Sequence, residues 1–345
     1  MRNIEDRGGP AQPLLIVNGL RKHFPLKQPL LDRGARPVVR AVDDVSFNLP
    51  KGGTLGVVGE SGCGKSTTAR LLMHLVEPDA GDVIFDGEAV ARHDGMTVRD
   101  MRRQMQMVFQ DSYASLNPRL TILETIAFGP VAHGTPVRQA RAAAADLLAR
   151  VGLEPAQFQR RYPHELSGGQ RQRVNIARAL ALGPRLLILD EAVSALDKSV
   201  EAQVLNLLAE LKEQFDLTYL FISHDLNVVH YISDEVMVMY LGKVVEIGPV
   251  EVIYGGARHP YTRALLASRP SMDPDVKTRE APISGDPPNP IDPPSGCRFR
   301  TRCAFAEAVC AAAEPRLAEG AAPAHLVACH MNDPASGHGR ARLAA

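Results

Sequence analysis

The sequence predicts an α/β protein whose parallel sheet is interrupted by a helical insertion, and three observations point to it. First, the short apolar run Thr54–Val58 feeds a glycine-rich turn that passes into a helix-forming stretch, Ser66–Leu75. Second, the apolar runs Leu186–Leu189 and Tyr219–Ile222 are separated by a helix over Val200–Phe215, the alternation that builds parallel sheets. Third, the stretch from about Met96 to Leu180 between them is patterned mainly for helices.

Taken in order, residues 1–13 contain Gly and Pro and read as a disordered terminus. Leu14–Val17 opens a strand, and Val42–Leu49 is a second that stops at the turn cluster Pro50-Lys51-Gly52-Gly53. The basic, Pro-containing stretch from Lys27 to Arg40 reads as a loop between them. In the helical insertion, Val137–Val151 is rich in Ala and Leu, and Gly168–Leu182 places Val174, Ile176, Ala177 and Leu180 near helical spacing. Val236–Val245 reads as a closing pair of strands. Beyond Gly255 the composition changes, and Asp286-Pro287-Pro288-Asn289-Pro290 marks a linker to a small C-terminal module. The expected organisation is a terminus over 1–13, a main domain over 14–255 with its helical subdomain at about 96–180, a module over 256–332 and a mobile tail over 333–345.

A chain of 345 residues can bury a large core and divide into two domains. Its formal net charge of zero gives no whole-chain attraction to nucleic acid or anionic lipid. No apolar stretch approaches a membrane span, and residues 1–13 lack the apolar core of a signal peptide. The chain is therefore expected in the cytosol, with any membrane association coming through a partner.

Gly59-Glu60-Ser61-Gly62-Cys63-Gly64-Lys65-Ser66-Thr67 follows the pattern G-x-x-x-x-G-K-[ST]. Gly59, Gly62 and Gly64 let successive backbone N–H groups turn inward toward phosphate oxygens, and the following helix adds its positive end. Lys65 is the expected β/γ-phosphate contact and the Ser66 hydroxyl an expected Mg²⁺ ligand. Arg185–Glu191 is an apolar strand ending in two acids: Asp190 suits the metal, through water, and Glu191 suits the general base that polarises attacking water. Gln110 and His224 each follow a short apolar run. Gln110 can contact Mg²⁺ or the water. His224 reads alone as a structural histidine, but in order after Glu191 as a γ-phosphate contact.

Leu166-Ser167-Gly168-Gly169-Gln170, about a hundred residues after the phosphate loop, resembles the signature of ATP-binding-cassette (ABC) proteins. Residues 14–255 resemble an ABC transporter nucleotide-binding domain with every motif in family order, which implies a P-loop NTPase fold with an antiparallel β subdomain and a helical subdomain. The resemblance implies that Phe24 stacks on adenine, that Ser194-Ala195-Leu196-Asp197 crosses a dimer seam, and that Ser167 and Gly169 meet the γ-phosphate held by a partner. Only one loop and one signature occur, so a second subunit completes each site about a two-fold or pseudo-two-fold axis. Val108–Arg119 and His259–Leu266 resemble the ATP-binding subunits of oligopeptide and dipeptide importers. That implies a paralogous second ATPase, two permease subunits, an extracytoplasmic solute-binding protein and a peripheral place on the cytoplasmic face of the inner membrane. Ala192 departs from the family, where proline normally follows the glutamate; losing that ring is expected to loosen the loop carrying Glu191. The alternatives are an ABC-type ATPase acting on nucleic acid or ribosomes, a metabolic P-loop kinase, and an importer of nickel chelate or glutathione. The first lacks its usual tandem cassettes or basic segments here, and a kinase has no use for Leu166–Gln170.

Cys297, Cys303, Cys310 and Cys329 cluster in the last fifth of the chain at C-x₅-C-x₆-C-x₁₈-C spacing. The tight pairs of zinc modules are absent. A [4Fe–4S] cluster, zinc, or four reduced thiols packed as small hydrophobes are the readings, with the cluster carried by some importer ATPases that this tail resembles. His325 and His330 flank Cys329 as possible substitute ligands.

Overall fold

The structure is a computed structural model that describes residues 9, 11–26, 36–269, 285–320 and 322–341. The expectations for residues 1–8 and for the core of the Lys27–Arg40 loop lie outside the described residues. In chain order the strands and helices are β1 (Leu15–Pro25), β2 (Val38–Leu49), β3 (Thr54–Val58), α1 (Lys65–Leu72), β4 (Ala80–Phe85), β5 (Glu88–Ala89), α2 (Val98–Gln104) and β6 (Met105–Val108). The helical stretch follows with α3 (Ile122–Ala132), α4 (Val137–Arg150), α5 (Pro155–Phe158) and α6 (Gly168–Leu180). Next come β7 (Leu186–Asp190), α7 (Lys198–Phe215), β8 (Thr218–Ile222), α8 (Leu226–Ile232), β9 (Glu235–Tyr240) and β10 (Lys243–Pro249). The C-terminal region adds α9 (Val250–Gly256), α10 (Pro260–Ala267), α11 (Ala308–Ala312), β11 (Ala318–Glu319) and β12 (Leu326–Val327).

These elements fall into two compact units. One comprises residues 1–15, 49–54 and 84–223, the other 16–48, 55–83 and 224–345.

In the first unit β6, β7 and β8 run parallel, with Ile188 of β7 opposite Met107 on one side and Leu220 on the other. Every residue of β7 and β8 is buried, as continuous apolar runs require in a parallel sheet covered on both faces. Helix α7 lays Val204, Leu205, Leu208 and Leu211 into the interior, and the buried Tyr219 hydroxyl donates to Leu208 O at 2.8 Å. Each such buried leucine contributes roughly 1.5–3 kcal/mol. Helices α3 and α6 both start at capping boxes, Thr121 with Glu124 and Ser167 with Gln170, which satisfy backbone donors that the helix itself cannot. The turn between β4 and β5 holds buried Asp86, which pairs with Arg185 at 2.6 Å and Lys51 at 3.2 Å.

In the second unit β3 pairs parallel with β9, and β9, β10, β12 and β11 continue antiparallel in that order. Gly56 of β3 has no room for a side chain: a Cβ there would stand 2.4 Å from Ser233 Oγ and 2.5 Å from Val229 Cγ1 at α8. Strands β2, β1 and β4 lie in that order as a separate sheet. β2 begins at Val38, four residues before the apolar alternation becomes legible at Val42.

The described C-terminal residues fall in the same unit as β3 and the glycine loop after it. Burial explains this. Glu246 of β10 is wholly buried and accepts hydrogen bonds from His325 Nε2 at 2.9 Å, His259 N at 3.2 Å and Arg258 N. Arg298 is buried in an ion pair with Asp43 of β2 and also donates to Leu241 O. Residues 330–341, expected as a tail from position 333, form two short 3-10 turns and bury His338, whose Nε2 lies 3.0 Å from Phe305 O.

Candidate functional site

The glycine loop belongs to the second unit. Gly59 has φ 148° and Gly64 φ 108°, and a Cβ at either would meet a backbone oxygen, Met239 O at 2.2 Å or Ala41 O at 2.3 Å. Both positions thus require glycine for space as well as for conformation. Lys65 begins α1 and is buried, with Nζ donating to Gly59 O at 2.7 Å and Glu60 O at 3.1 Å. The loop's only lysine is therefore folded onto its own loop, over the backbone where phosphate oxygens are expected. Ser66 and Thr67 occupy the first turn of the helix and are half-buried, while Ser61 and Gly62 are exposed. Burial pushes the Cys63 thiol up, with the Lys65 ammonium opposing, so Cys63 is a packed thiol under the loop.

Two further sequence candidates lie in this unit. Phe24 ends β1 partly exposed, with Lys22 Nζ 5.6 Å from its ring centroid. His224 is exposed, next to Asp225, whose side chain caps α8 by accepting from Asn227 N at 2.9 Å.

The acidic and the signature residues both belong to the first unit. Asp190 is buried at the carboxyl end of β7. Glu191 follows in the left-handed region at φ 49°, a conformation uncommon for a residue with a side chain. Its N–H donates to Ile222 O at 2.9 Å, and its carbonyl accepts from Ser194 N at 3.2 Å and Ser194 Oγ at 3.0 Å. These bonds, with Ala192 and Val193 buried, hold the loop at the position where the ring of a proline is missing. Gln110, just beyond β6, donates from Nε2 to Glu191 Oε2 at 2.7 Å. The structure thus unites two residues that the sequence separates by 81 positions.

Ser167 caps α6 from an exposed position. Its Oγ accepts from Gln170 N at 3.3 Å, and Gln170 Oε1 accepts from Ser167 N at 3.0 Å. A side chain at Gly169 would put Cβ 2.4 Å from Val200 Cγ1 on α7, so the second glycine sets how closely the two helices approach. Asp197, exposed, stands at the N-cap of α7. The loop after Gln110 is tied to the signature helix: Asn175 Nδ2 donates to Ser112 O at 2.9 Å and Ser115 Oγ to Asn175 Oδ1 at 3.0 Å. Sequence reading missed Asn175 because a polar residue at a buried helical position gives no signal of its partner.

The four C-terminal cysteines line one small cavity together with His259, Phe299, Phe305, His330 and His338. Burial raises three of these thiols, Cys297 to about 11, Cys329 to about 12 and Cys303 in the same direction, with the neighbouring cysteines adding to it. Among the described residues no three His, Cys, Asp or Glu side chains are grouped to hold a metal ion. The expected iron–sulfur or zinc centre therefore gains no support from a formed ligand set. Sequence reading also missed Arg302, which reaches Glu60 of the glycine loop across 242 positions.

Residues 42–194 match the family model for ABC transporters, and residues 245–310 match that for the C-terminal region of oligopeptide/dipeptide transporters. The oligopeptide transport ATP-binding protein AppF of Bacillus subtilis is 49% identical over 93% of this chain and 98% of its own length. The dipeptide transport ATP-binding protein DppF of Escherichia coli is 45% identical over 93% of this chain and 95% of its own. Among solved structures, cbiO1 of Clostridium perfringens, part of the ABC transporter complex cbiONQ, aligns with a TM-score of 0.60 at 26% identity, over 71% of this chain and 92% of that one. No described helix is long and apolar enough to cross a membrane. Relatives this similar along nearly their whole length, together with a cassette fold carrying a glycine loop and a capped signature helix, establish that the chain is an ATPase belonging to the ATP-binding subunits of ABC transporters, in their oligopeptide/dipeptide branch.

Proposed function

We propose that this ATPase powers the uptake of peptides by closing as a dimer over ATP with a second, paralogous subunit, while two permease subunits and an extracytoplasmic binding protein carry the cargo. Peptide as cargo is supported by the names of the relatives, which are oligopeptide and dipeptide transport proteins. The chain would work at the cytoplasmic face of the inner membrane, held there by the permeases.

The observation that carries the closure reading is the exposed Ser167 at the start of α6, backed by the half-buried Gly168 and Gly169. One face of α6 is packed in the interior, whereas the capping serine remains free of the core and suited to meet a ligand from outside the chain. In this reading the loop Gly59–Thr67 takes the phosphates of one ATP, with Lys65 leaving its loop carbonyls for the β/γ-phosphates, and Phe24 takes the adenine. Ser167, Gly168, Gly169 and Gln170 meet the nucleotide of the opposing subunit, and Asp197 lies along the seam. Glu191 polarises the attacking water, oriented by Gln110, and His224 contacts the γ-phosphate. Ser66, Asp190 and Gln110 are the proposed Mg²⁺ contacts, each through a side-chain oxygen, the ligand type a hard cation takes. When bound, Mg²⁺ neutralises charge on the β- and γ-phosphates. Closure is favoured by contacts that exist only while a γ-phosphate bridges both subunits, so its loss on hydrolysis reopens the dimer.

Reconstitution with the permeases and binding protein tests this: ATP turnover rises when peptide-loaded binding protein is added. Equal turnover with and without loaded binding protein contradicts coupling to peptide.

A [4Fe–4S] cluster on Cys297, Cys303, Cys310 and Cys329 is the second part of the proposal. Its support is that all four line one cavity; against it stands the absence of a grouped ligand set among the described residues. Its role would be a structural staple for a short segment. Iron and visible absorbance in anaerobically purified protein support it, and colourless, iron-free protein ends it.

A further inference from the structure

Glu60 is an acidic residue inside a loop built to receive a polyanion, and the structure cancels its charge from an unexpected place. Arg302 donates from Nη1 to Glu60 Oε2 at 2.8 Å and from Nη2 to Oε1 at 3.0 Å, a two-pronged pair. The arginine side chain is only 7% exposed and also donates to the Tyr240 hydroxyl at 3.3 Å. The Glu60 backbone is held as well: its N–H donates to the Tyr261 hydroxyl at 2.8 Å and its carbonyl accepts from Lys65. Arg302 itself is fixed by its own segment. Four residues earlier Arg298 is buried against Asp43, and Phe299 packs edge-on to Tyr240 at 5.4 Å and against Tyr261 at 5.4 Å.

We propose that Arg302 is a positioning residue for the phosphate loop, neutralising and pinning Glu60 so that the loop accepts the triphosphate. The C-terminal segment between Cys297 and Cys303 thereby sets nucleotide affinity. This rests on reading Gly59–Thr67 as the cradle for ATP. Without Arg302 the Glu60 carboxylate faces the phosphates uncompensated, and repulsion at this range weakens binding about tenfold or more. The effect is one of charge, so it is screened by salt.

The test is binding of a fluorescent ATP analogue to the full chain at low and high ionic strength. Arg302→Met weakens binding about tenfold at low salt, the loss shrinks at high salt, and adding Glu60→Gln to it restores affinity to within about threefold. A purely structural role predicts a loss that salt leaves alone and that Glu60→Gln deepens. Wild-type affinity in Arg302→Met, or a double variant no better than the single, overturns the inference. Should Arg302→Met fail to fold, Glu60→Gln alone decides: tighter binding than wild type supports the inference, and unchanged or weaker binding overturns it. Lys65→Ala separates the two levels. If it binds ATP normally, the cradle reading fails. If it abolishes binding while Arg302→Met matches wild type, only the role of Arg302 fails.

Discussion

Gln110 donates a 2.7 Å hydrogen bond to Glu191 Oε2, so a residue just beyond β6 holds the carboxylate that follows β7. For Glu191 in its proposed role as general base, this bond would supply the aim from a neighbouring strand end. Glu191→Gln therefore keeps ATP binding and loses about 10²–10⁴ in turnover, trapping a closed dimer. Single-turnover hydrolysis measured beside nucleotide affinity checks this; undiminished turnover removes Glu191 as the base. Gln110→Ala gives a smaller loss in the same direction.

Gly169 permits α6 to approach Val200 of α7. Gly169→Ala puts a methyl group 2.4 Å from Val200 Cγ1 and costs about 1–3 kcal/mol. Chemical denaturation should show this loss, and adding Val200→Ala should recover most of it. An equally stable Gly169→Ala protein would mean that the helices are not packed as described.

His259 links stability to pH. Desolvation lowers its pKa to about 4, with Glu246 opposing, and its Nδ1 accepts from Tyr261 N at 3.0 Å, which only the neutral ring can do. Its folded pKa lies below the ordinary value near 6.5, so the unfolded chain binds more protons between the two. The stability it contributes is complete above about pH 6.5 and is lost as pH falls toward about 4, amounting to about 3 kcal/mol. His259→Asn retains a capping acceptor and should flatten the stability profile across that window. A profile as steep as wild type assigns the acid sensitivity elsewhere.

Much of this was legible in the sequence because the relevant signals are local. The strands at Thr54–Val58 and Leu186–Leu189 and the helices at Val137–Arg150 and Gly168–Leu180 announce themselves by apolar pattern, the last also by its capping serine. The phosphate loop and the signature are contiguous and equally plain. What stayed hidden depends on partners distant in the chain. Neither Glu60 nor Arg302 reads as unusual alone, and nothing near Gln110 names Glu191. The C-terminal segment read as a separate module because its composition changes, yet Arg298, Arg302 and His325 find Asp43, Glu60 and Glu246 in the unit that carries the phosphate loop. Its cysteines advertised a metal centre through spacing, while buried thiols with raised pKa values also suit packed, protonated sulfur.

The central claim is that the tip at Ser167–Gln170 touches a nucleotide held by the opposing subunit. An ATP analogue with a photoreactive group on its γ-phosphate tests it directly in the assembled transporter, with Lys65→Ala preventing this chain from holding its own nucleotide. The account predicts that residues 167–170 of the Lys65→Ala chain are still labelled, and that the label disappears when the opposing subunit loses its phosphate-loop lysine. Labelling that vanishes with Lys65→Ala in this chain alone would contradict it.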